Sequence, residues 1–143
     1  MTNPALELEP VVRLEVLVGA PVDAGVTPAG HLRVIPITGG TAKGPLVTGE
    51  VLPIGADWNV VRPDGVATVS AKYLIRTGDG AVLTVTNEGT LGPRAVTSPR
   101  IGAPAEGPYA WLNDAVLVGT LVPLLVNGRL TGVSLEFHRV LSA

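Results

Sequence analysis

Gly39-Gly40-Thr41-Ala42-Lys43-Gly44-Pro45, Gly55-Ala56-Asp57-Trp58, Arg62-Pro63-Asp64-Gly65 and Gly78-Asp79-Gly80 punctuate the stretch 39–89, and β-branched residues fill the gaps between them. A chain that repeatedly reverses between strands is written this way, because glycine supplies positive φ and proline a preset φ where the backbone turns. Pro63-Asp64-Gly65 therefore predicts a hairpin connection. Val66–Thr77 is the longest alternation, with Ala67, Val69, Ala71, Tyr73 and Ile75 on one face and Thr68, Ser70, Lys72, Leu74 and Arg76 on the other. Ala81–Asn87 returns after Gly78-Asp79-Gly80, which makes these two strands a hairpin.

Working outward, Val12, Leu14, Val16 and Val18 alternate with Arg13 and Glu15, the pattern of a half-buried strand, and Met1–Pro10 before them reads as a loose arm or a short strand. Pro21–Gly30 reads as loop. His31–Ile35 is a strand stopped or bulged at Pro36, since proline cannot donate to a ladder. Pro45–Leu52 is a strand ended by Pro53, and Trp58–Arg62 a short one held extended at Arg62 by Pro63. Four prolines and three glycines make Thr90–Pro108 a long loop. Strand character resumes over Tyr109–Gly119 and Leu121–Val126, Asn127-Gly128 is a hairpin turn, and Arg129–Leu141 closes the chain. No stretch keeps helical periodicity for three turns. So many short strands in one small unit leave edges unless the sheet closes, and the expected fold is all-β: a single antiparallel β-barrel with an enclosed cavity, one domain over residues 1–143.

Composition narrows the functions. The 143 residues suit one domain with a sizeable core. Charged residues make up 15%, below the usual ~25%, while 46% are hydrophobic, which points to self-association. A net charge of −2 without a Lys or Arg run gives no field for a polyanion, so nucleic acid is not an expected partner. Without cysteine there is neither a disulfide nor a thiol nucleophile, and with no charged-then-apolar leader the chain is expected in the cytoplasm. The uncharged run Ala115–Gly128 is too short for a spanning helix, and 3% aromatics is too few for the girdles of a membrane barrel.

Several spaced motifs agree in order: Gly39-Gly40 with Gly44-Pro45, Leu52-Pro53-Ile54-Gly55-Ala56-Asp57-Trp58, Arg62-Pro63-Asp64-Gly65, Tyr73 with Arg76-Thr77, Asn87-Glu88-Gly89, and Tyr109-Ala110-Trp111-Leu112-Asn113 with Val118-Gly119. From about Gly30 onward the chain resembles the mainly bacterial and fungal family known as domain of unknown function 3237. The resemblance implies a compact antiparallel barrel with a central cavity, in a family without a settled general activity. Two departures stand out. The segment before the Tyr-x-Trp-Leu-Asn motif, Leu91–Gly107 here, is shorter and richer in proline and glycine than the family's, which puts a cavity-covering loop in question; and the segment after Gly119, commonly polar, is Leu121-Val122-Pro123-Leu124-Leu125-Val126, an apolar edge or hairpin suited to a partner.

Within that frame, Asp57 beside Trp58 is a candidate general base if desolvated, or a turn cap beside a core plug. Arg62 can clamp a carboxylate or enolate, although in a regular strand Asp57, Asn59 and Val61 share one face and Trp58, Val60 and Arg62 the other. Asp64 reads as a turn residue. Tyr73, on the apolar face, can donate its hydroxyl to a bound carbonyl or pack in the core with that hydroxyl satisfied. Tyr109, Trp111 and Asn113 share a face by the period of two, as a row against a flat ligand or as barrel filling. His31 and His138 lack a ligand set, Gly-x-Ser-x-Gly is absent, and no helix follows the glycine-rich stretches, so no metal and no cofactor are expected.

The leading expectation is a cavity that binds a small, largely apolar or aromatic molecule, with Trp58, Tyr73, Tyr109 and Trp111 as walls and Asp57, Arg62 and Asn113 orienting it. An alternative is a cofactor-independent isomerase, hydratase or cyclase with Asp57 as base and Arg62 or Tyr73 stabilising an oxyanion. A third is a structural homo-oligomer subunit joined through Leu121–Val126.

Overall fold

The alternating stretches pair as nine antiparallel strands: β1 (Leu6–Val18), β2 (Val22–Thr27), β3 (Gly30–Lys43), β4 (Gly49–Val61), β5 (Ala67–Thr77), β6 (Val82–Leu91), β7 (Ala95–Gly102), β8 (Leu117–Val126) and β9 (Arg129–Ser142), with a short 3-10 helix at Ala110–Asp114. The structure is a computed structural model describing all residues from Met1 to Ala143. Sheet order runs β1-β9-β8-β7-β6-β5-β4-β3-β2, and β1 also pairs with β3, from Arg13 opposite Lys43 to Val18 opposite Ile37. Eight strands thus form a closed antiparallel barrel, as expected. β3 is long enough to hold β1 along residues 37–43 and the outlying β2 along residues 30–34. No helix is long and apolar enough to cross a membrane.

Inward positions carry the core, and the barrel is filled unevenly. Leu14, Ile75, Leu83, Val85, Leu112 and Phe137 are fully buried. At the end where β5 turns into β6, the 3-10 helix packs against β7 and inserts Leu112, while Tyr109 donates its hydroxyl to Asp79 of the turn at 3.0 Å. That end is plugged. The seam between β7 and β8 is short, only Val96 opposite Thr120 and Thr97 opposite Gly119. A Cβ on Gly119 would come within 2.9 Å of both Phe137 and Thr97, so glycine permits the close approach there.

Several expectations are corrected. Thr90–Pro108 is not one loop: β7 lies in it, with Thr97, Pro99 and Ile101 inward, and Pro99 is tolerated where pairing to β8 has already stopped. Tyr109–Gly119 is not a strand, because Ala110–Asp114 coils as the plug and β8 begins at Leu117. Of the two readings of Met1–Pro10 the strand holds, from Leu6 onward and paired with β9, whereas the loop-rich Pro21–Gly30 contains β2. Pro53 does not end its strand but lies unpaired within the register shift between Val51 and Gly55, and of the two readings of Pro36 the bulge holds: Pro36 is still opposite Ala56, and the register shifts directly after it. In Leu121–Val126, Leu121 is buried and Leu124 half-buried, while Val122, Pro123, Leu125 and Val126 are exposed, so the end of this hairpin does present an apolar edge.

The register shift in β4 decides where Asp57 falls. Val51 faces Ile75 and Gly55 faces Tyr73, so β4 spends four residues where β5 spends two, after which Asp57 lies opposite Ala71. Gly55 ends the bulge at φ +108, and a Cβ there would sit 2.1 Å from the Lys72 carbonyl oxygen. We expect Gly55→Ala to lower folding stability by about 2–3 kcal/mol, as measured by urea denaturation. A midpoint equal to the wild type would show that the bulge does not depend on this conformation.

Candidate functional site

The half of the barrel away from the plug is hollow. A cavity of about 140 Å³ lies there, lined by 18 residues of which 13 are hydrophobic. On β5 its wall is Ala67, Val69, Ala71 and Tyr73; the facing wall includes Val16, Ile37, Leu121 and Leu135. Ala67 pairs with Leu91 at the end of the β5–β6 hairpin opposite the Gly78-Asp79-Gly80 turn, so the hollow opens at the far end from the 3-10 helix.

Five polar side chains enter it: Arg33 from β3, Asp57 and Asn59 from β4, Tyr73 from β5 and Asn87 from β6. Asp57 and Asn59 come in together because the period of two holds beyond the bulge. Arg33 donates to Asn59 Oδ1 at 2.9 Å, the Asn59 amide points at Asp57 Oδ2 at 3.5 Å, and the Ser70 backbone N–H donates to Asp57 Oδ1 at 2.8 Å. Burial pushes the Asp57 pKa up; the Ser70 and Asn59 hydrogen bonds and the Arg33 charge, each a smaller effect, oppose the rise. Tyr73, desolvated, has its pKa raised as well and stays a neutral phenol.

Three atoms at this cavity are buried without any hydrogen-bond partner: Arg33 Nε, Tyr73 Oη and Asn87 Oδ1. Tyr73 and Asn87 are only 3% and 2% exposed, so bulk water does not satisfy them. Each such group costs about 1–3 kcal/mol when left unpaired. Native proteins keep few of these, and three of them belong to residues lining this one hollow.

Of the residues singled out in the sequence, Asp57 and Tyr73 meet at the cavity. The others do not. Arg62 reaches back to Asp64 through Nε at 3.1 Å and a terminal nitrogen at 2.5 Å in the β4–β5 turn, holding the Asp64 pKa down at about 2. Trp58 points outward and is 48% exposed. Tyr109, Trp111 and Asn113 belong to the plug at the opposite end: Asn113 pins the Ala103 backbone by accepting from its N–H at 2.8 Å and donating to its carbonyl at 3.1 Å, and the Arg139 guanidinium lies 4.9 Å from the centre of the Trp111 ring. Arg33, Asn59 and Asn87 escaped the sequence reading. Asn87 carried the clearest signal, a polar residue continuing the inward row Leu83, Val85, Asn87.

Comparison with known proteins agrees with this architecture. Over 92 residues, 64% of this chain and 60% of the other, it is 42% identical to a UPF0311 protein of Rhodopseudomonas palustris, and it thus spans about 60% of the length of the curated relatives it matches. The crystal structure of a conserved protein of unknown function from Rhodopseudomonas palustris superposes with a TM-score of 0.88 at 32% identity, covering 97% of this chain and all of that one (100%). An enzyme from Penicillium herquei superposes with a TM-score of 0.77 at 26% identity, covering 98% of this chain and 96% of that one. The family model described as protein of unknown function (DUF3237) matches residues 6–98, and the chain belongs to that family.

Proposed function

We propose that the barrel binds one small, largely apolar molecule in the hollow half, oriented by Tyr73, Asn87 and Arg33. The observation that carries this reading is the unpaired set Arg33 Nε, Tyr73 Oη and Asn87 Oδ1 around an otherwise apolar space. A ligand that accepts from the phenol and donates to the amide oxygen removes desolvation penalties the free protein bears. The size fits a single ring, since an apolar cavity of roughly 150 Å³ accommodates benzene.

A second reading, catalysis in the same space, is favoured by one pairing. Asp57 is a carboxylate whose proton affinity is raised by burial, and it shares the cavity with a neutral phenol that can donate to a developing oxyanion. That combination suits cofactor-independent proton transfer next to a carbonyl, of the isomerase, hydratase or cyclase kind. The similar fold from Penicillium herquei is described as an enzyme, which supports looking for turnover here.

For binding, we expect small aromatic compounds to raise the thermal midpoint of the wild type. Tyr73→Phe, which deletes an unpaired hydroxyl, leaves the free protein at least as stable while weakening carbonyl-bearing ligands about tenfold. A panel of small rings that never moves the midpoint removes the binding reading. Asp57→Asn separates binding from catalysis: it retains affinity and abolishes turnover of an enone or phenolic substrate if Asp57 is the base, whereas unchanged turnover removes that role.

Asp57 also makes a pH prediction. Because the folded state raises its pKa above the ordinary 3.8, the native protein holds this proton to higher pH than the unfolded chain. Stability contributed by the group therefore falls as pH rises from about 3.8 through the raised value, and it is level above that. The stability of the wild type relative to Asp57→Asn, from urea midpoints at a series of pH values, is expected to decline across that window. A relative stability that climbs with pH would mean that Arg33 and the hydrogen bonds outweigh desolvation.

A further inference from the structure

A guanidinium taken out of water is costly unless a counter-charge accompanies it, and one arginine of this protein lacks that company. Arg13, Arg62 and Arg139 each hold a carboxylate, from Glu136, Asp64 and Glu9. Every lysine and arginine outside these pairs is exposed to water except Arg33. Arg33 is half-buried, lines the hollow from β3 and has no carboxylate within 4.0 Å. One of its terminal nitrogens donates to Asn59 Oδ1 at 2.9 Å, and Nε is sealed in without a partner. The other terminal nitrogen is bonded to nothing in the protein and, unlike Nε, keeps contact with open space.

Register puts this charge near the mouth. His31, Val61, Ala67 and Leu91 form the transverse row at the rim, and Arg33 with Asn59 lies one inward step below it. Asp57 and Ala71 lie one step below that, each step being two residues of strand or roughly 7 Å. A group held at Arg33 therefore leaves its apolar body to the deeper wall around Ala71 and Tyr73. The hollow does contain a carboxylate, but Asn59 stands between it and the guanidinium, and among the influences on Asp57 the Arg33 charge is the smallest. The counter-charge is thus not supplied from within. The rim does not supply it either: Asp64 is taken by Arg62 and Asp23 by His31, while Arg94 of the β6–β7 turn and Arg129 at the start of β9 hold no carboxylate. An anion approaching this end of the barrel meets an attractive field.

Resting on the binding reading above, we infer that the ligand is a small monocarboxylate, its carboxylate at the mouth on the free terminal nitrogen of Arg33 and its apolar body in the hollow beneath. Arg33 is then the residue that selects charge, where the binding reading alone asks only for an apolar body of the right size. A charge-assisted hydrogen bond at a half-buried guanidinium is about twice as strong as a neutral one, so an acid is preferred over its own amide.

Calorimetric titration with benzoate and with benzamide at about pH 7.5, well above the ordinary carboxyl range, tests this. The two compounds share ring and shape and differ in charge. Expected on the wild type is an affinity for benzoate about tenfold above that for benzamide. Arg33→Met brings benzoate down to the benzamide level or below and leaves benzamide within about twofold, which shows the hollow intact. Arg33→Gln, whose amide can still donate toward Asn59, behaves in the same way, so a loosened Asn59 is not the cause. Arg94→Gln and Arg129→Gln, both on the surface, keep the preference within about twofold. Benzamide binding the wild type as tightly as benzoate overturns the inference and leaves the binding reading standing. So does a preference that survives both Arg33 variants, or one that is lost with Arg94→Gln or Arg129→Gln. If benzoate fails to bind while a neutral ring binds, the inference falls alone; if no ring binds the wild type at all, the binding reading falls with it.

Discussion

Pairing of β1 with β3 is the constraint everything else depends on. Without it the strands form an open sheet with two long edges, and the inward residues have only one face to pack on. With it, Val12, Leu14 and Val16 are carried round to meet Ile37, Ala42 and Val51 on the far side, and a single core results. Closure needs backbones to come close, and Gly40 shows how the sequence allows this. It lies opposite Val16 at φ +143, where a Cβ would fall 2.0 Å from the Glu15 carbonyl oxygen. A side chain at that position would hold the two strands apart.

A closed ring of eight strands encloses more space than the side chains of this chain fill, and the chain deals with the two ends differently. At one end the 3-10 helix, buried Leu112 and the hydrogen bonds of Tyr109 and Asn113 supply packing that the strands alone do not. At the other end, small residues on β5 and a row of polar groups leave the interior hollow. The aromatics thus serve the plugged end, which explains why a motif of tyrosine, tryptophan and asparagine can be prominent in the sequence and remote from the cavity. Prominence of a residue type reports that it is doing something, and here the task of Trp111 and Asn113 is architectural.

This division also explains what could be read from the sequence. The hairpins of Val66–Leu91 and of Asn127-Gly128 were legible because turn chemistry and period-two alternation agree locally, and Asn127 at φ 51 with Gly128 at φ 75 is the expected turn. Barrel closure was legible as a way to remove edges. The cavity was partly legible: alternation put Asp57 with Asn59 and Tyr73 with Ala71, but which face of β4 looks inward depends on register against β5 through the bulge, a nonlocal fact. Trp58 drew attention by its hydrophobicity, and the pleat turned it outward. Arg33 was hidden because an arginine on a strand ordinarily marks the solvent face; here β2 extends beyond the ring and covers the start of β3. β7 was missed because Pro99 within it and the prolines on either side read as loop, and a strand barely paired on one side tolerates Pro99.

The arrangement of charge inside the hollow comes from the same geometry. Arg33 and Asp57 both project into it, yet they are joined through Asn59 instead of meeting directly. A guanidinium bonded to the carboxylate would hold it ionised well below neutral pH, as Arg62 does to Asp64 in the exposed turn. An amide between them passes on orientation while weakening the Coulomb effect, and among the influences on Asp57 the Arg33 charge is indeed the smallest and burial the largest. The carboxyl is thus aimed by its neighbours without being neutralised by them. Removing Asn59 while keeping both charged residues would let Arg33 approach Asp57 and form an ordinary ion pair. The spacer, more than either charged residue, sets the electrostatics of this interior.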